Sequence, residues 1–355
     1  WASFSTRGGT STHRRDGSQR LSPKTIGSGA LRPHGIFMST TTAGRVADAP
    51  SDNWVYRWLP VAVWPYAQLA RWDRPIGWKL LLWPCLWSLA LAWGVADAPL
   101  TLSMLVTVAL FWAGSVAMRG AGCTYNDIVD VDIDAKVART ASRPIPSGRT
   151  TKVKATVCMV MQALAGLAVL IGLCSLADPF NSFAFWLACA SLGVVAFYPF
   201  AKRITNWPQF VLGLSFSWGA LMGSAVVFGE LSAATVLLYC GSILWVIGYD
   251  TIYAHQDRED DAIVGVRSTA RLFGERTVQA LLIIYGGTLI LFAAAYLEAG
   301  VAWPAYIGLL AGGLHMIWQI TSLDIDDGEK CLRVFHSNSF FGWAVFAGLV
   351  VNWLV

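Results

Sequence analysis

The chain has 355 residues, of which 55% are hydrophobic and only 14% are charged, against roughly 25% charged residues in an ordinary soluble domain. With so few polar side chains the chain cannot cover itself in water, and its high apolar content also excludes intrinsic disorder. The net charge of +4 gives no reason to expect a nucleic-acid partner, and the seven cysteines form no CxxC pair that would indicate a zinc site. Composition therefore predicts a polytopic membrane protein.

The first 53 residues differ from the rest and are predicted to form a poorly structured tail. They are rich in Ser, Thr, Gly and Arg, and the first fifty contain only two acids. This composition is typical of a mitochondrial targeting peptide. We favour the alternative that the protein begins at Met38, with residues 1–37 upstream of the true start. Residues 54–355 are predicted to form one intramembrane domain, which opens with an interfacial segment rich in aromatic and basic residues.

Nine apolar segments of about bilayer-spanning length follow the tail. Such uninterrupted runs are too long for barrel strands, and a helix satisfies its own backbone hydrogen bonds inside a lipid bilayer. The predicted spans are residues 76–96, 99–119, 155–176, 180–200, 209–228, 233–253, 277–297, 303–321 and 340–355. The sequence therefore predicts an all-α bundle of about nine transmembrane helices.

Positive charge is confined to one side of this bundle. All 26 Lys and Arg lie in the tail, at the start of the first span, or in and beside every second connection. The four opposite connections contain no Lys or Arg, and their charged residues are Asp97, Asp178, Glu230 and Glu298. By the positive-inside rule the basic connections face the cytoplasm or the mitochondrial matrix. The alternation supports the number of spans, because a missed helix would place basic residues on both sides.

Nine of the 22 acidic residues fall in two short windows on the basic side. In the first window Asn126, Asp130 and Asp134 are spaced four residues apart, so they would share one face of a helix that extends the second span. In the second window Asp257 and Asp261 repeat this spacing. Like charges one helical turn apart repel each other, so both windows need a compensating cation.

The chemistry of these windows suits a divalent metal and a diphosphate. Mg²⁺ prefers hard oxygen ligands, and it usually completes a shell of one or two carboxylates with phosphate oxygens of a substrate. Basic side chains that can bind phosphate stand beside both windows. They are Arg139, Arg143, Lys202, Arg203, Arg258 and Arg267. The pattern predicts a Mg²⁺-dependent site for a diphosphate substrate at the membrane surface.

Two other interpretations of the acidic windows stay open at this point. A single acidic loop is usually a solvated surface, but two matched loops, each followed by Arg, are harder to explain in that way. A divalent-cation transporter would also need carboxylates. Transporters carry such groups within the spans, near the middle of the membrane, whereas the predicted spans here contain almost none apart from Lys79 near the start of the first.

The two windows resemble the signatures of the UbiA superfamily of intramembrane aromatic prenyltransferases. The first is Asn126-Asp127-x-x-Asp130-x-x-x-Asp134 followed by Arg139-Thr140-x-Ser142-Arg143-Pro144, and the second is Asp250-x-x-Tyr253-Ala254-x-x-Asp257-x-x-x-Asp261. Three further stretches are similar to the branch of the superfamily that acts on 4-hydroxybenzoate, namely residues 74–84, 198–209 and 265–270. The resemblance extends over residues 54–355.

This resemblance implies a helical bundle around a central apolar chamber that the two acidic loops cap. It also implies transfer of a polyprenyl group from polyprenyl diphosphate to the 3-position of 4-hydroxybenzoate, an early step of ubiquinone biosynthesis in the lipid bilayer. Mg²⁺ is the implied cofactor, and the residues that would hold it are Asn126, Asp127, Asp130, Asp134, Asp257 and Asp261. Asp250 is expected to orient the phenol or to accept the ring proton.

The resemblance also implies which residues act on the substrates. Arg139, Arg143 and Lys202 are expected to bind the diphosphate. Arg203 is expected to bind the carboxylate of the aromatic acid, with Arg74 as the alternative. The residues expected to carry catalysis are Asp130, Asp250 and Asp257.

Two alternatives stay open beside this interpretation. A sister enzyme that prenylates homogentisate, a naphthoate, haem or chlorophyllide would keep the acidic loops, although the stretch from Arg74 to Pro84 and the Lys202-Arg203 pair favour 4-hydroxybenzoate. The second alternative concerns the compartment. The sequence after Met38 favours a bacterial inner membrane with the acidic loops in the cytoplasm, and the alternative is the mitochondrial inner membrane with these loops facing the matrix.

Overall fold

The computed structural model describes residues 44–47, 49–50, 52–258, 262–263 and 265–355. All of these residues belong to one compact unit that begins at Gly44. Residues 1–43, which make up most of the predicted tail and include Met38, lie outside the described residues. So does Asp261 of the second acidic window.

The described part of the chain contains helices and no strands, which confirms the predicted all-α class. In chain order the helices are α1 (Trp54–Trp58), α2 (Trp64–Leu69), α3 (Ile76–Val95), α4 (Leu102–Val129), α5 (Val131–Asp134), α6 (Lys152–Cys174), α7 (Ser182–Ile204), α8 (Pro208–Phe216), α9 (Gly219–Phe228), α10 (Ala233–Ala254), α11 (Thr269–Phe273), α12 (Thr277–Glu298), α13 (Trp303–Ser322), α14 (Gly328–His336) and α15 (Asn338–Leu354). The helices α8 and α9 together make one span with a break after Phe216.

Eight helical segments of the described chain are long and apolar enough to cross a membrane. They match the predicted spans with the exception of the eighth, residues 303–321. The structure forms a helix there too, α13, but its sequence includes the polar residues His315 and Gln319. Both side chains form hydrogen bonds inside the bundle. Tyr285 donates a hydrogen bond to Gln319 at 2.7 Å, and the His315 ring lies 3.0 Å from the hydroxyl of Ser337. The number of nine spans is therefore approximate.

Polar residues in the connections fix where several helices begin and end. The side chain of Asn181 accepts the amide of Ala184 at 2.9 Å, and the side chain of Ser232 accepts the amide of Thr235 at 3.2 Å. Such caps satisfy amides that have no partner within the first helical turn. At the other end of a span, Gly229 adopts a φ of +71°, a left-handed conformation that ends α9 at little steric cost.

The second span continues beyond its predicted end at residue 119. The helix α4 runs on to Val129, so Arg119 lies inside a helix. The sequence placed Arg119 at the border between the second span and the basic connection that follows it. Gly120 and Gly122 disfavour a helix by themselves, so packing carries the helix through this stretch. A Cβ atom on Gly120 would meet the side chain of Gln162 and would lie 3.3 Å from the Cα of Ala70. Lys202 and Arg203 likewise lie in the last turn of α7 and not in a loop.

An aromatic core and an apolar chamber occupy different parts of the bundle. The rings of Trp87, Trp245 and Phe341 pack at centroid distances of 5.0 to 5.8 Å where α3, α10 and α15 meet. In α3 and α10, 67% of the residues of the apolar stretch are buried inside the protein. In α6 and α7 the corresponding shares are only 17% and 11%. The low values arise because α6 and α7 line the chamber on one side and face outward on the other.

We expect the packing of α13 to depend on a close backbone contact. A Cβ atom on Gly308 would lie 2.4 Å from the carbonyl oxygen of Ala344 and 2.8 Å from the Cα of Gly348. Gly308→Ala should therefore destabilise the protein by about 1–3 kcal/mol, seen as a lower Tm in detergent. The matched control is Gly193→Ala in α7, where nothing lies within 4 Å. Equal Tm values for the two variants would contradict this packing.

Candidate active site

The first acidic window keeps the helical spacing that the sequence predicts. The helix α4 ends at Val129, and Asp130 leads directly into α5. The amide of Asp130 donates to the carbonyl of Asn126 at 2.9 Å, and the amide of Asp134 donates to the carbonyl of Asp130 at 2.8 Å. Asn126, Asp130 and Asp134 therefore follow one another at intervals of one helical turn. Asp130 and Asp134 are buried.

Asp127 is completely buried and is held by two arginines. Arg71 donates to its Oδ1 atom at 2.6 Å, and Arg143 lies 3.2 Å from the same oxygen. Arg71 follows α2 with a φ of 57°, a conformation uncommon for a residue with a side chain. Its guanidinium also donates to the carbonyl of Gln68 at 2.7 Å. Arg71 is a positioning residue that sequence analysis missed, because its partner lies 56 residues away in the chain.

Asp130 and Asp134 also lie against cations from other segments. Lys202 Nζ is 2.5 Å from Asp130 Oδ2, and Arg203 donates to Asp130 Oδ1 at 3.0 Å. Arg143 donates to Asp134 at 2.9 Å. Burial raises the pKa of the Asp134 carboxyl, and the neighbouring guanidinium of Arg143 opposes this rise. The predicted metal ligands and the predicted phosphate ligands are therefore in direct contact.

The second acidic window joins the first through one ion pair. After α10 the chain makes a 3₁₀ turn, His255–Asp257. Arg139, from the segment after α5, contacts both oxygens of Asp257, with its Nε donating to Oδ1 at 2.6 Å. Arg139 also donates to the hydroxyl of Tyr253 at 3.3 Å. This bidentate pair connects two segments 118 residues apart and brings the two predicted signatures together.

A cavity of about 810 Å³ opens beneath these segments. Most of its wall is apolar, and α3, α4, α6, α7, α8 and α9 contribute side chains such as Leu80, Phe111, Leu170, Leu192, Leu212 and Met222. Its polar wall includes Arg71, Arg74, Arg119, Asn126, Arg139, Arg143 and Asp250. Lys202 and Arg203 contact Asp130 and are not part of this wall in the described structure. The paired acids Asp127, Asp130, Asp134 and Asp257 also lie behind it, next to the wall residues Asn126, Arg139 and Arg143 that adjoin or contact them. The cavity is the central apolar chamber that the resemblance of the two acidic windows implies.

Arg119 lies within the chamber wall and was missed as a site residue. Its guanidinium sits 5.1 Å from the centre of the Phe216 ring. A Cβ on Gly77 would lie 2.4 Å from Arg119 Nε, so the glycine leaves the space that this side chain fills. Arg119 interacts electrostatically with Asp250 across the same chamber. A charged residue inside a span is itself a signal of function, but the predicted end of the span at residue 119 concealed it.

With this geometry in place, comparison with known proteins assigns the family. The model that describes the UbiA prenyltransferase family matches residues 81–345. This chain belongs to the UbiA prenyltransferase family. Membership confirms the resemblance seen in the two acidic signatures, and it agrees with the observed bundle of helices around a chamber.

Two curated relatives match most of the chain. The mitochondrial 4-hydroxybenzoate polyprenyltransferase of Arabidopsis thaliana is 43% identical over 301 residues, which cover 84% of this chain and 71% of the relative. The mitochondrial 4-hydroxybenzoate polyprenyltransferase of Caenorhabditis elegans is 38% identical over 320 residues, which cover 90% of this chain and 87% of the relative. Both are named 4-hydroxybenzoate polyprenyltransferase, the activity that the resemblance of the two acidic windows implies.

Solved structures of UbiA homologs share the fold. The apo structure of a homolog from Aeropyrum pernix K1 aligns with a TM-score of 0.61 at 27% identity, and covers 76% of this chain and 97% of that one. A homolog from Archaeoglobus fulgidus bound to GPP and Mg²⁺ aligns with a TM-score of 0.55 at 17% identity, and covers 79% of this chain and 99% of that one. At this identity the second likeness concerns the fold alone.

Proposed function

We propose that this UbiA-family chain transfers a polyprenyl group from polyprenyl diphosphate to the 3-position of 4-hydroxybenzoate, in ubiquinone biosynthesis. The observation that carries the proposal is the junction of the two acidic signatures, through Arg139 and Asp257, at the polar wall of an 810 Å³ apolar chamber. A diphosphate head group suits the charged end, and a polyprenyl chain suits the apolar end. The names of the relatives from Arabidopsis thaliana and Caenorhabditis elegans support 4-hydroxybenzoate as acceptor.

The donor set of the site fits Mg²⁺. Carboxylate and amide oxygens are the hard ligands that Mg²⁺ prefers, and this ion completes its shell with phosphate oxygens of a substrate. In the described residues the acids are held by Lys and Arg, and no three His, Cys, Asp or Glu side chains are grouped around one metal position, so the substrate would complete the site. The residues that would hold it are Asn126, Asp130, Asp134 and Asp257, with Asp127 in support and Asp261 outside the described residues. When bound, Mg²⁺ would neutralise charge on the leaving diphosphate.

The basic residues at the polar end of the chamber, which we call its mouth, would bind the diphosphate. Arg139 and Arg143 line the chamber, and each has a guanidinium already directed by an acidic partner, Asp257 and Asp134 respectively. Lys202 forms an ion pair with Asp130 next to them. Bidentate guanidinium groups match the spacing of phosphate oxygens. We infer that substrate binding exchanges these carboxylate partners for phosphate oxygens, which frees the carboxylates for the metal.

The chamber walls would protect the reacting carbon. Loss of diphosphate leaves an allylic cation, which water would capture. The apolar side chains of α6 and α7 keep this space dry, and the aromatic faces of Phe111 and Phe216 on the wall can stabilise positive charge.

We propose Arg119 as the residue that binds the carboxylate of 4-hydroxybenzoate. Arg203, the residue expected from the sequence, contacts Asp130 and lies outside the chamber wall, and the alternative Arg74 lies beside Asp73 at 3.2 Å. Arg119 lines the chamber, as Arg74 does, but no ion pair to a neighbouring acid is formed by it in the described residues, and it interacts electrostatically with Asp250 on the same wall. A carboxylate bound there would place the phenol end of the ring toward the mouth, and Asp250 is the acid positioned in the chamber to accept the ring proton.

We also propose the mitochondrial inner membrane as the compartment, with the acidic segments on the matrix side. This was the alternative to the bacterial inner membrane favoured by the sequence. The names of the relatives, which are mitochondrial, support it. They give no support to the bacterial assignment.

The reaction is tested with purified chain in lipid nanodiscs, given geranyl diphosphate and radiolabelled 4-hydroxybenzoate with and without Mg²⁺. We expect prenylated product only with Mg²⁺, and a loss of on the order of 100-fold or more in Asp130→Ala and Asp257→Ala, because each removes a charged ligand. The matched control is Asp132→Ala, an exposed acid in the same window, which should keep full activity. Metal-independent product, or equal activity in all three variants, would contradict the proposed site.

The acceptor site is tested by exchanging two arginines. Arg119→Met should raise the KM for 4-hydroxybenzoate about 10- to 100-fold, as expected when a hydrogen bond to a charged group is lost, while the KM for geranyl diphosphate stays near wild type. Arg203→Met serves as the comparison and should leave the acceptor KM unchanged. The opposite pattern, with the acceptor KM raised in Arg203→Met alone, would restore the assignment made from the sequence.

A further inference from the structure

Residues 44–47 and 49–50 form an N-terminal strap that lies against the connection between α5 and α6. The amide of Ala47 donates to the hydroxyl of Ser142 at 2.8 Å. Val46 is buried, and its amide donates to the hydroxyl of Tyr56 at 3.4 Å. The carbonyl of Gly44 accepts a hydrogen bond from the side chain of Gln68 at 2.8 Å. The strap therefore has both side-chain and backbone contacts with the bundle.

Arg149 holds the strap and the connection together. Its guanidinium donates to the carbonyl of Gly44 at 2.5 Å, to the side-chain oxygen of Gln68 at 2.6 Å and to the carbonyl of Ser142 at 2.5 Å. Within the described residues these hydrogen-bond partners are all neutral oxygens. The fork geometry of the guanidinium lets one side chain fix three segments at once. Arg149 therefore fixes the position of the strap through hydrogen bonds to neutral oxygens.

The strap reaches the chamber. Ala47, Ala49 and Pro50 are part of the chamber wall, on which Arg139 and Arg143 also lie. Ser142, which the strap contacts, directly precedes Arg143 in the chain. Arg143 in turn pairs with Asp127 and Asp134 of the first acidic window. One set of hydrogen bonds thus connects the strap to the diphosphate end of the site.

We propose that the strap is part of the active site, where it closes the polar end of the chamber and keeps water from the reacting allylic carbon. The inference rests on the proposed function. When the allylic C–O bond breaks, diphosphate leaves with the bonding electrons. The cation is then captured either by the ring carbon of 4-hydroxybenzoate, which loses its proton, or by water, which loses a proton and gives the prenyl alcohol. The strap shifts this competition toward the aromatic ring.

The ratio of prenyl alcohol to prenylated acid measures this role. A strap that only stabilises the fold would change the total turnover or the Tm and leave the ratio unchanged, since both products arise from the same cation. A strap that excludes water changes the ratio itself. Two variants break the Gly44 carbonyl contact from different elements: Arg149→Met and Gln68→Leu. Lys152→Met is the matched control, because it removes an exposed cation close to Arg149 in the same region.

The experiment uses the full chain in nanodiscs with labelled geranyl diphosphate, 4-hydroxybenzoate and Mg²⁺, and a protein-free blank. We expect Arg149→Met and Gln68→Leu each to raise the ratio of geraniol to prenylated acid about tenfold, the factor expected for losing one hydrogen bond to a charged group. Hydrogen exchange should accelerate in the peptide that contains residues 44–50 and stay unchanged in α3 and α10. Lys152→Met should match wild type in both measurements.

Two results would overturn the strap's role. One is a wild-type ratio in both variants while exchange of the strap peptide accelerates, because the strap would then be released without admitting water. The other is an equal rise in Lys152→Met, which would make the effect a general loss of charge. If the wild-type chain forms geraniol but no prenylated acid, the proposed acceptor is wrong. The strap is then judged by geraniol formation, which the two variants should raise about tenfold.

Discussion

Four acids of the two family signatures lie against cations from other parts of the chain, and three of them, Asp127, Asp130 and Asp134, are buried. The pairs are Asp127 with Arg71, Asp130 with Lys202, Asp134 with Arg143, and Asp257 with Arg139. Removing a carboxylate from water is costly unless a cation and hydrogen bonds replace the solvent. The pairs therefore do more than hold the segments in place: they make it possible to concentrate four carboxylates at one end of an apolar chamber.

The proposed function gives the same pairing a second role. A diphosphate would take over the Arg and Lys side chains of the pairs, and the carboxylates that they release are the residues that would hold Mg²⁺. Because the charge is collected at the mouth, the remaining wall from α3 to α9 can be apolar and aromatic. Arg119 and Asp250 also line the chamber, and under the proposed function they would serve as the cation and the proton acceptor for an acceptor with one carboxylate and one phenol.

Patterns among residues close in sequence predicted part of this arrangement, whereas contacts between residues far apart in sequence were not predicted. The spacing of Asn126, Asp130 and Asp134 predicted their helical register, because neighbours one turn apart are set by helix geometry, and the hydrogen bonds confirm it. The alternation of basic connections predicted which segments share one side. Arg71 and the strap were missed, since their contacts join residues far apart in sequence. Arg119 was misplaced because hydropathy cannot distinguish a charge that ends a span from one that faces a cavity.

The measurement that tests this account most directly is the binding of Mn²⁺, as a spectroscopic substitute for Mg²⁺, to the purified chain by electron paramagnetic resonance. It is made with and without geranyl thiolodiphosphate, an analogue that reacts slowly. Since the carboxylates are paired with Arg and Lys, the account predicts that the analogue tightens Mn²⁺ binding on the order of tenfold or more, a coupling of ordinary size for two ligands of one protein. Equal Mn²⁺ affinity in both conditions would contradict the exchange of partners at the mouth.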